Sequence, residues 1–216
     1  MNLIDPKKRL LIVGCGGHSK VITDIALALK FKDIFYQDLN TEKNEFLGKV
    51  VFNKDIKGYE DYFFIAIGDN YLREKALIEF QKNNPKATTI TLIHPSSIVS
   101  EKCSIDVGSV VMPLCVINSS SKIGKGVIIN SHSSLDHDNF IMDFSSIAPG
   151  VITGGNVNIG QRSAISIGSI IKNNISIGSD SVVGASSYVN KDISNNIVVY
   201  GSPAKIIRNR KIGEKY

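Results

Sequence analysis

From residue 93 to residue 189 every sixth position is aliphatic, with one exception. The series runs Ile93, Val99, Ile105, Val111, Ile117, Ile123, Ile129, Leu135, Ile141, Ile147, Thr153, Ile159, Ile165, Ile171, Ile177, Val183 and Val189. Only Thr153 departs from it. A strand sends alternate side chains to opposite faces, so a six-residue repeat returns the same position to the inside on every rung. Two residues earlier most hexads carry a small residue: Ser97, Cys103, Ser109, Cys115, Ser121, Ser133, Ser145, Ser163, Ser169, Ser181 and Ser187. Glycine often follows the aliphatic, as at Gly124, Gly160, Gly178 and Gly184, where a turn uses its conformational freedom. One hexad cannot bury a core, but stacked coils can, so the pattern requires a β-solenoid. A meander of hairpins would show irregular spacing. Cys103 and Cys115 fall at the small inward position and read as core residues.

The segment before the repeat follows another rule. Arg9 to Val13 is a short buried-strand run, and Gly14-Cys15-Gly16-Gly17 is a turn. Val21, Ile22, Ile25, Ala26 and Leu29 then recur at helical spacing. Strands are expected at Asp33 to Tyr36 and Asp61 to Ile67, and a second helix at Leu72 to Phe80. Strand-turn-helix units imply a small parallel sheet with ligands at the carboxyl ends of its strands.

Charge and composition exclude several classes. The net charge of +5 comes mostly from the tail, with Lys205, Arg208, Arg210, Lys211 and Lys215 against Glu214, so the body is nearly neutral. A broad nucleic-acid face is not expected. The basic tail suits a phosphate-bearing ligand, or is simply solvated. No apolar run approaches the ~18–20 residues of a membrane helix, and the stretch Met1 to Arg9 lacks the apolar core of a secretory signal. Three scattered cysteines form neither a disulfide framework nor a zinc knuckle, and they point to a reducing, cytoplasmic setting.

Seven stretches, in order, carry a resemblance. They are Gly14-Cys15-Gly16-Gly17-His18, Gln37-Asp38, Ala66-Ile67-Gly68-Asp69-Asn70, Leu92-Ile93-His94-Pro95, Asp136-His137-Asp138, Gly155-Asn156-Val157-Asn158-Ile159-Gly160 and Gly201-Ser202-Pro203-Ala204-Lys205. Together they resemble the hexapeptide-repeat acetyltransferases that N-acetylate nucleotide-linked 4-amino sugars of bacterial surface glycans, with the sialic-acid O-acetyltransferases as relatives. The resemblance implies a Rossmann-like α/β nucleotide-sugar-binding domain over residues 1–90. It implies a left-handed parallel β-helix over residues 91–216, with three hexads per turn, little more than five coils and a C-terminal tail. It also implies acetyl-CoA as cosubstrate, no metal, no nucleic acid, no membrane, and a homotrimer with the coenzyme between neighbouring β-helices.

Acetyl transfer to an amine needs a base, and histidine is matched to neutral pH. His137 follows the inward Leu135 by two residues, at a corner or outward position. Asp138 would raise its basicity and fix its tautomer. Gly155 lies one coil on and would be the oxyanion donor, unless the turn alone requires glycine there. By resemblance Ser146, Ile167, Ala185 and Lys205 meet the coenzyme, with Arg208 and Arg210 free for its phosphates. Ser146 stands where relatives often carry a second histidine. Gly16, Gly17, His18, Gln37, Asp38 and Gly68 would line the nucleotide pocket, and Asn130 would face the sugar amine.

Other readings stay open. The acceptor could be the hydroxyl of a free sugar such as sialic acid. His132 and His137 lie five apart, as two zinc ligands do in the γ-type carbonic anhydrases, but the third ligand position, near Ser96, holds no histidine. The solenoid could also serve as a non-catalytic scaffold.

Overall fold

The computed structural model describes residues 4–215; Met1, Asn2 and Leu3 of the amino-terminal stretch and Tyr216 of the tail lie outside the described residues. The chain divides into two compact units, one ending at Leu92 and the other beginning at Ile93. Among the described residues no helix is long and apolar enough to cross a membrane.

The first unit is a six-stranded sheet with two helices. Its strands are β1 (Leu10–Val13), β2 (Ile34–Gln37), β3 (Glu45–Phe46), β4 (Lys49–Phe52), β5 (Tyr62–Ile65) and β6 (Thr88–Thr89), in the order β3-β4-β2-β1-β5-β6. Pairing is parallel except between β3 and β4. Leu10, Leu11 and Ile12 are fully buried, as the continuous apolar run of a central parallel strand requires. Helix α1 spans Gly17–Ala28 and buries Ile22, Ile25 and Ala26. It begins four residues before the expected Val21, because its first turn is polar and carries no apolar stripe; there the Ser19 hydroxyl donates back to the Gly14 carbonyl at 2.8 Å. Helix α2 spans Asn70–Asn83, and the Asp69 carboxylate caps it by accepting from the Leu72 N–H at 2.9 Å. The β3–β4 hairpin was not expected. Its turn residues Leu47 and Gly48 both have positive φ, the form that matches the twist of a two-residue hairpin.

The second unit is a parallel β-helix of three sheets. Partners lie eighteen residues apart: Ile129 with Ile147 and Ile165, Leu135 with Thr153 and Ile171, Ile141 with Ile159 and Ile177. The aliphatic ladder is buried from Val111 to Val189. The small residues do more than fit. Along most of the helix the serine hydroxyl at this position donates to a carbonyl of the following coil, as Ser109 does to Gly124 (2.7 Å), Ser121 to Asp136 (2.9 Å), Ser133 to Ala148 (2.9 Å) and Ser169 to Gly184 (2.9 Å). Cys115 takes the same place, with its Sγ 3.0 Å from the Asn130 carbonyl. Burial pushes the thiols of Cys103 and Cys115 up to about 11, so neither is a ready nucleophile.

The final coil is shorter. Val182 pairs with Val198, sixteen residues on, and the chain then reverses into an antiparallel hairpin, Ile197–Gly201 with Ala204–Asn209. The sequence left the basic tail either facing a phosphate or solvated. Instead Arg210 is buried and donates to the carbonyls of Asp180 and Glu214, and the Arg208 guanidinium lies 2.6 Å from the Glu214 carboxylate. Arg210 is thus held in seating the chain end, while Arg208 pairs with Glu214 and stays half exposed.

Candidate active site

Asp136, His137 and Asp138 form the corner between the strands Ser134–Leu135 and Phe140–Ile141. Four successive coils turn this corner through one residue in the left-handed region: Ser120, Asp138, Asn156 and Asn174 have φ between 56° and 64°. Aspartate and asparagine adopt that conformation more readily than other side chains with a Cβ. The corner therefore fixes Asp138 beside His137. The His137 Nδ1 lies 2.7 Å from the Asp138 Oδ2, and both side chains are more than half exposed. The carboxylate holds the proton on Nδ1 and leaves Nε2 with its lone pair. His137 is pushed above the ordinary histidine range, first by that hydrogen bond and then by the charge of Asp136. Asp136 in turn accepts from the His137 N–H (2.8 Å) and from Asn118 Nδ2 (3.2 Å), which hold it below the usual carboxylate range.

Gly155 meets the imidazole from the following coil. A Cβ built on it would lie 2.5 Å from Cε1 and 2.6 Å from Nε2 of His137. Its backbone is outside the left-handed region, so the turn itself does not require glycine. What excludes a side chain is the imidazole. The Gly155 N–H donates to no acceptor among the described residues, while the next N–H, of Asn156, is used on the His137 carbonyl at 2.9 Å. A shallow cavity of about 350 Å³ beside the corner is lined by Ser120, Lys122, Asp138, Asn139 and Phe140.

The residues expected to meet a coenzyme fall into two groups. Ile167 and Ala185 are exposed and stacked one coil apart, and Ser146 lies on a strand facing Ala164. A second cavity, of about 300 Å³, joins Ala185, Ser166, Val182 and Gly184 to Tyr200, Arg208 and Arg210 of the chain end. Lys205 is exposed on the hairpin opposite Tyr200 and does not line that cavity. This cavity brings Arg208 and Arg210 of the chain end to Ala185; the part of Tyr200 was not expected from the sequence.

The nucleotide-pocket candidates Gly16, Gly17, His18, Gln37, Asp38 and Gly68 all lie in the first unit. Gly16 caps α1, Gly17 opens it, and Gly14, with φ of 113°, makes the turn from β1. Both Asp38 oxygens are taken by backbone, from Cys15 N–H (2.9 Å) and Asn40 N–H (2.9 Å), so this side chain braces the glycine turn. Gln37 is buried with its Oε1 unpaired. Burial, and then the nearby Arg73 cation, push His18 down to about 4, so it stays neutral, with a buried Nε2 that has no partner. Arg73 is itself fully buried, donating to the Ile67 and Gly68 carbonyls. Asn130 belongs to the second unit, where its Oδ1 accepts from the Ser131 N–H at 2.8 Å. His132 is exposed at the corner before that of His137, and no three His, Cys, Asp or Glu side chains gather as for a metal ion among the described residues.

Comparison with known proteins agrees with this architecture. Residues 9–80 match the PglD N-terminal domain family. A UDP-N-acetylbacillosamine N-acetyltransferase from Bacillus subtilis (strain 168) is 36% identical over 114 residues, 49% of this chain. That alignment spans about half, 51%, of the curated relative. The acetyltransferase domain of PglB from Neisseria gonorrhoeae FA1090 is 30% identical, covering 92% of this chain and 99% of that one with a TM-score of 0.86. PerB from Caulobacter crescentus, solved in complex with CoA and GDP-perosamine, is 28% identical over 93% of this chain and 97% of that one, with a TM-score of 0.84. An α/β unit followed by eighteen-residue coils, matched along nearly the whole of the two solved structures, places the chain in the left-handed β-helix acetyltransferase family of nucleotide-linked amino sugars.

Proposed function

We propose that this chain transfers the acetyl group of acetyl-CoA to the amino group of a nucleotide-linked 4-amino-4,6-dideoxy sugar, carried on UDP or dTDP, for a bacterial surface glycan. The observation that carries the reading is the meeting of the Asp138-tethered His137 with the unengaged Gly155 N–H. Acetyl-CoA supplies a thioester carbonyl. The amine attacks that carbon and gives its proton to His137 Nε2. Charge gathers on the carbonyl oxygen, which the Gly155 N–H faces. As the C–S bond breaks, the imidazolium returns the proton to the departing thiolate. The amine attacks directly, since no cysteine is placed to carry the acetyl group.

The neutral His18, the α1 start at Gly16 and Gly17, and the Gly68 turn suit the diphosphate and sugar of the nucleotide. Asn130 orients the amine. Ala185, Ile167 and Ser146 contact the coenzyme, and Lys205 with the half-exposed Arg208 supplies cations for its phosphates. Outward on one face of the β-helix lies a register-aligned row, Ile98, Val116, Ser134, Ile152, Ile170 and Tyr188. Ile98, Ile152 and Ile170 are exposed. A homotrimer buries this row and sets the coenzyme between neighbouring β-helices. The enzyme works in the cytoplasm, where both substrates are available.

The test is the bond that forms. Product from acetyl-CoA and a UDP-linked 4-amino sugar is treated with hydroxylamine, which cleaves esters and spares amides. A resistant acetyl group supports transfer to nitrogen. A labile one, or transfer to free sialic acid without nucleotide, assigns the protein to O-acetylation.

A further inference from the structure

Asn139 departs from the small-residue pattern at the one corner that carries the base. It is 1% exposed and follows Asp138 directly. Its Nδ2 lies 2.6 Å from the Asp136 carbonyl, 3.2 Å from the His137 carbonyl and 3.0 Å from the Gly154 carbonyl of the next coil. The bond to Gly154 takes the place of the serine bond seen at other corners. The other two have single counterparts elsewhere, since Ser145 donates to the Met142 carbonyl three residues back and Ser181 to the Ser179 carbonyl two back; among the described residues only Asn139 sets one group against all three. The Gly154 carbonyl and the Gly155 N–H share one peptide plane. The Asp136 and His137 carbonyls belong to the two peptides that flank the imidazole's own Cα. The NH2 has two hydrogens for three carbonyls, so one is shared, and this one group ties the peptides on both sides of His137 to the peptide that carries the Gly155 N–H.

The arrangement is not explained by stability. The Asn139 Oδ1 is buried without a partner, a loss of about 1–3 kcal/mol in a typical interior. A serine would avoid that orphan and keep the Gly154 bond. Asp136 would still accept from Ser121, and the His137 carbonyl from the Asn156 N–H. The one polar break in the inward ladder, Thr153, belongs to the same cluster: its Oγ1 lies 3.4 Å from the Asp136 nitrogen.

We infer that Asn139 is a positioning residue that holds His137 and the Gly155 N–H in one geometry across two coils. The inference rests on the acetyl-transfer reading and deepens it. Asn139 touches no substrate and acts through the backbone of the residues that do.

The test uses Asn139→Ser and Asn139→Val on the full chain. Serine restores the ladder bond, and valine already occupies the same position at Val127, Val151 and Val157, so both suit the fold. Three readings are taken: kcat and KM with acetyl-CoA and the amino sugar, the thermal midpoint, and the titration of His137 by NMR. Positioning predicts that in Asn139→Ser kcat falls about 10- to 100-fold. Each KM stays within about twofold and the midpoint holds or rises. The His137 titration moves toward the ordinary histidine range as the tie to Asp138 loosens. A wild-type kcat with an unchanged titration overturns the inference. So does a fall in midpoint and kcat together with an unchanged titration, which marks a structural role. If the wild type acetylates no amino sugar, the functional reading fails by itself. The His137 titration then decides the inference: a shift in either variant upholds it and no shift overturns it.

Discussion

The imidazole of His137 occupies the space that a side chain at position 155 would need: a Cβ on Gly155 would stand 2.5 Å from Cε1 and 2.6 Å from Nε2. The proposed base and the proposed oxyanion donor thus adjoin because their coils stack eighteen residues apart. Gly155→Ala keeps an allowed backbone and pushes the ring aside. It is expected to lower kcat by about a hundredfold, the scale of a lost oxyanion contact or an ångström of misplacement. Far-UV circular dichroism and the thermal midpoint should stay near wild type. Unchanged kcat would contradict the contact's role.

Asp138 sets both the tautomer and the basicity of His137. Activity requires the neutral imidazole, so a raised pKa places the acid limb of the kcat/KM profile above the ordinary histidine value of 6.5. Asp138→Asn removes the charge and leaves only a neutral amide oxygen as acceptor. The limb should move to lower pH while the plateau falls about 10- to 100-fold. A limb that does not move would separate Asp138 from the titration.

Ser109 illustrates how the corners are held. Its hydroxyl donates to the Gly124 carbonyl at 2.7 Å and accepts from the Val127 N–H at 2.9 Å. Ser109→Ala leaves two buried backbone groups unpaired and should cost about 1–3 kcal/mol by denaturant titration. Ser109→Cys should cost less, because Cys115 shows that a thiol can serve this corner.

His18 predicts a pH-dependent stability for the first unit. Folded, it titrates near 4; unfolded, near 6.5. Between those values the unfolded chain binds the extra proton, so stability is complete above about 6.5 and declines as pH falls toward 4. His18→Gln should flatten that decline in thermal melts between pH 7 and 4. An equal slope in both proteins would assign the effect to other groups.

The solenoid was legible in the sequence because its side-chain period and coil length share one frame, and eighteen residues return each hexad to the same face. The site corner was legible as a motif, since His137 and Asp138 are adjacent and Gly155 lies one coil on. Less visible were features whose partners are distant in the chain. The serine hydroxyls read as small residues, and their bonds emerge only when coils stack. Asn139 carries no signal in the sequence, because its three carbonyl partners come together only in the folded corner. Arg208 and Arg210 read as free cations until the shortened last coil brought Asp180 and Glu214 to them. The β3–β4 hairpin rests on two positive-φ residues of which one, Leu47, gives no turn signal by type.

The central claim is acetyl transfer to a nucleotide-linked amine through His137. Thiol release from acetyl-CoA tests it with UDP- and dTDP-linked 4-amino-4,6-dideoxy sugars, GDP-perosamine and free sialic acid, for the wild type and His137→Ala. The account predicts turnover with a nucleotide sugar, none with sialic acid, and a loss of about 10²–10⁴-fold in the variant. Turnover with sialic acid alone, or a folded His137→Ala that keeps full activity, would contradict it.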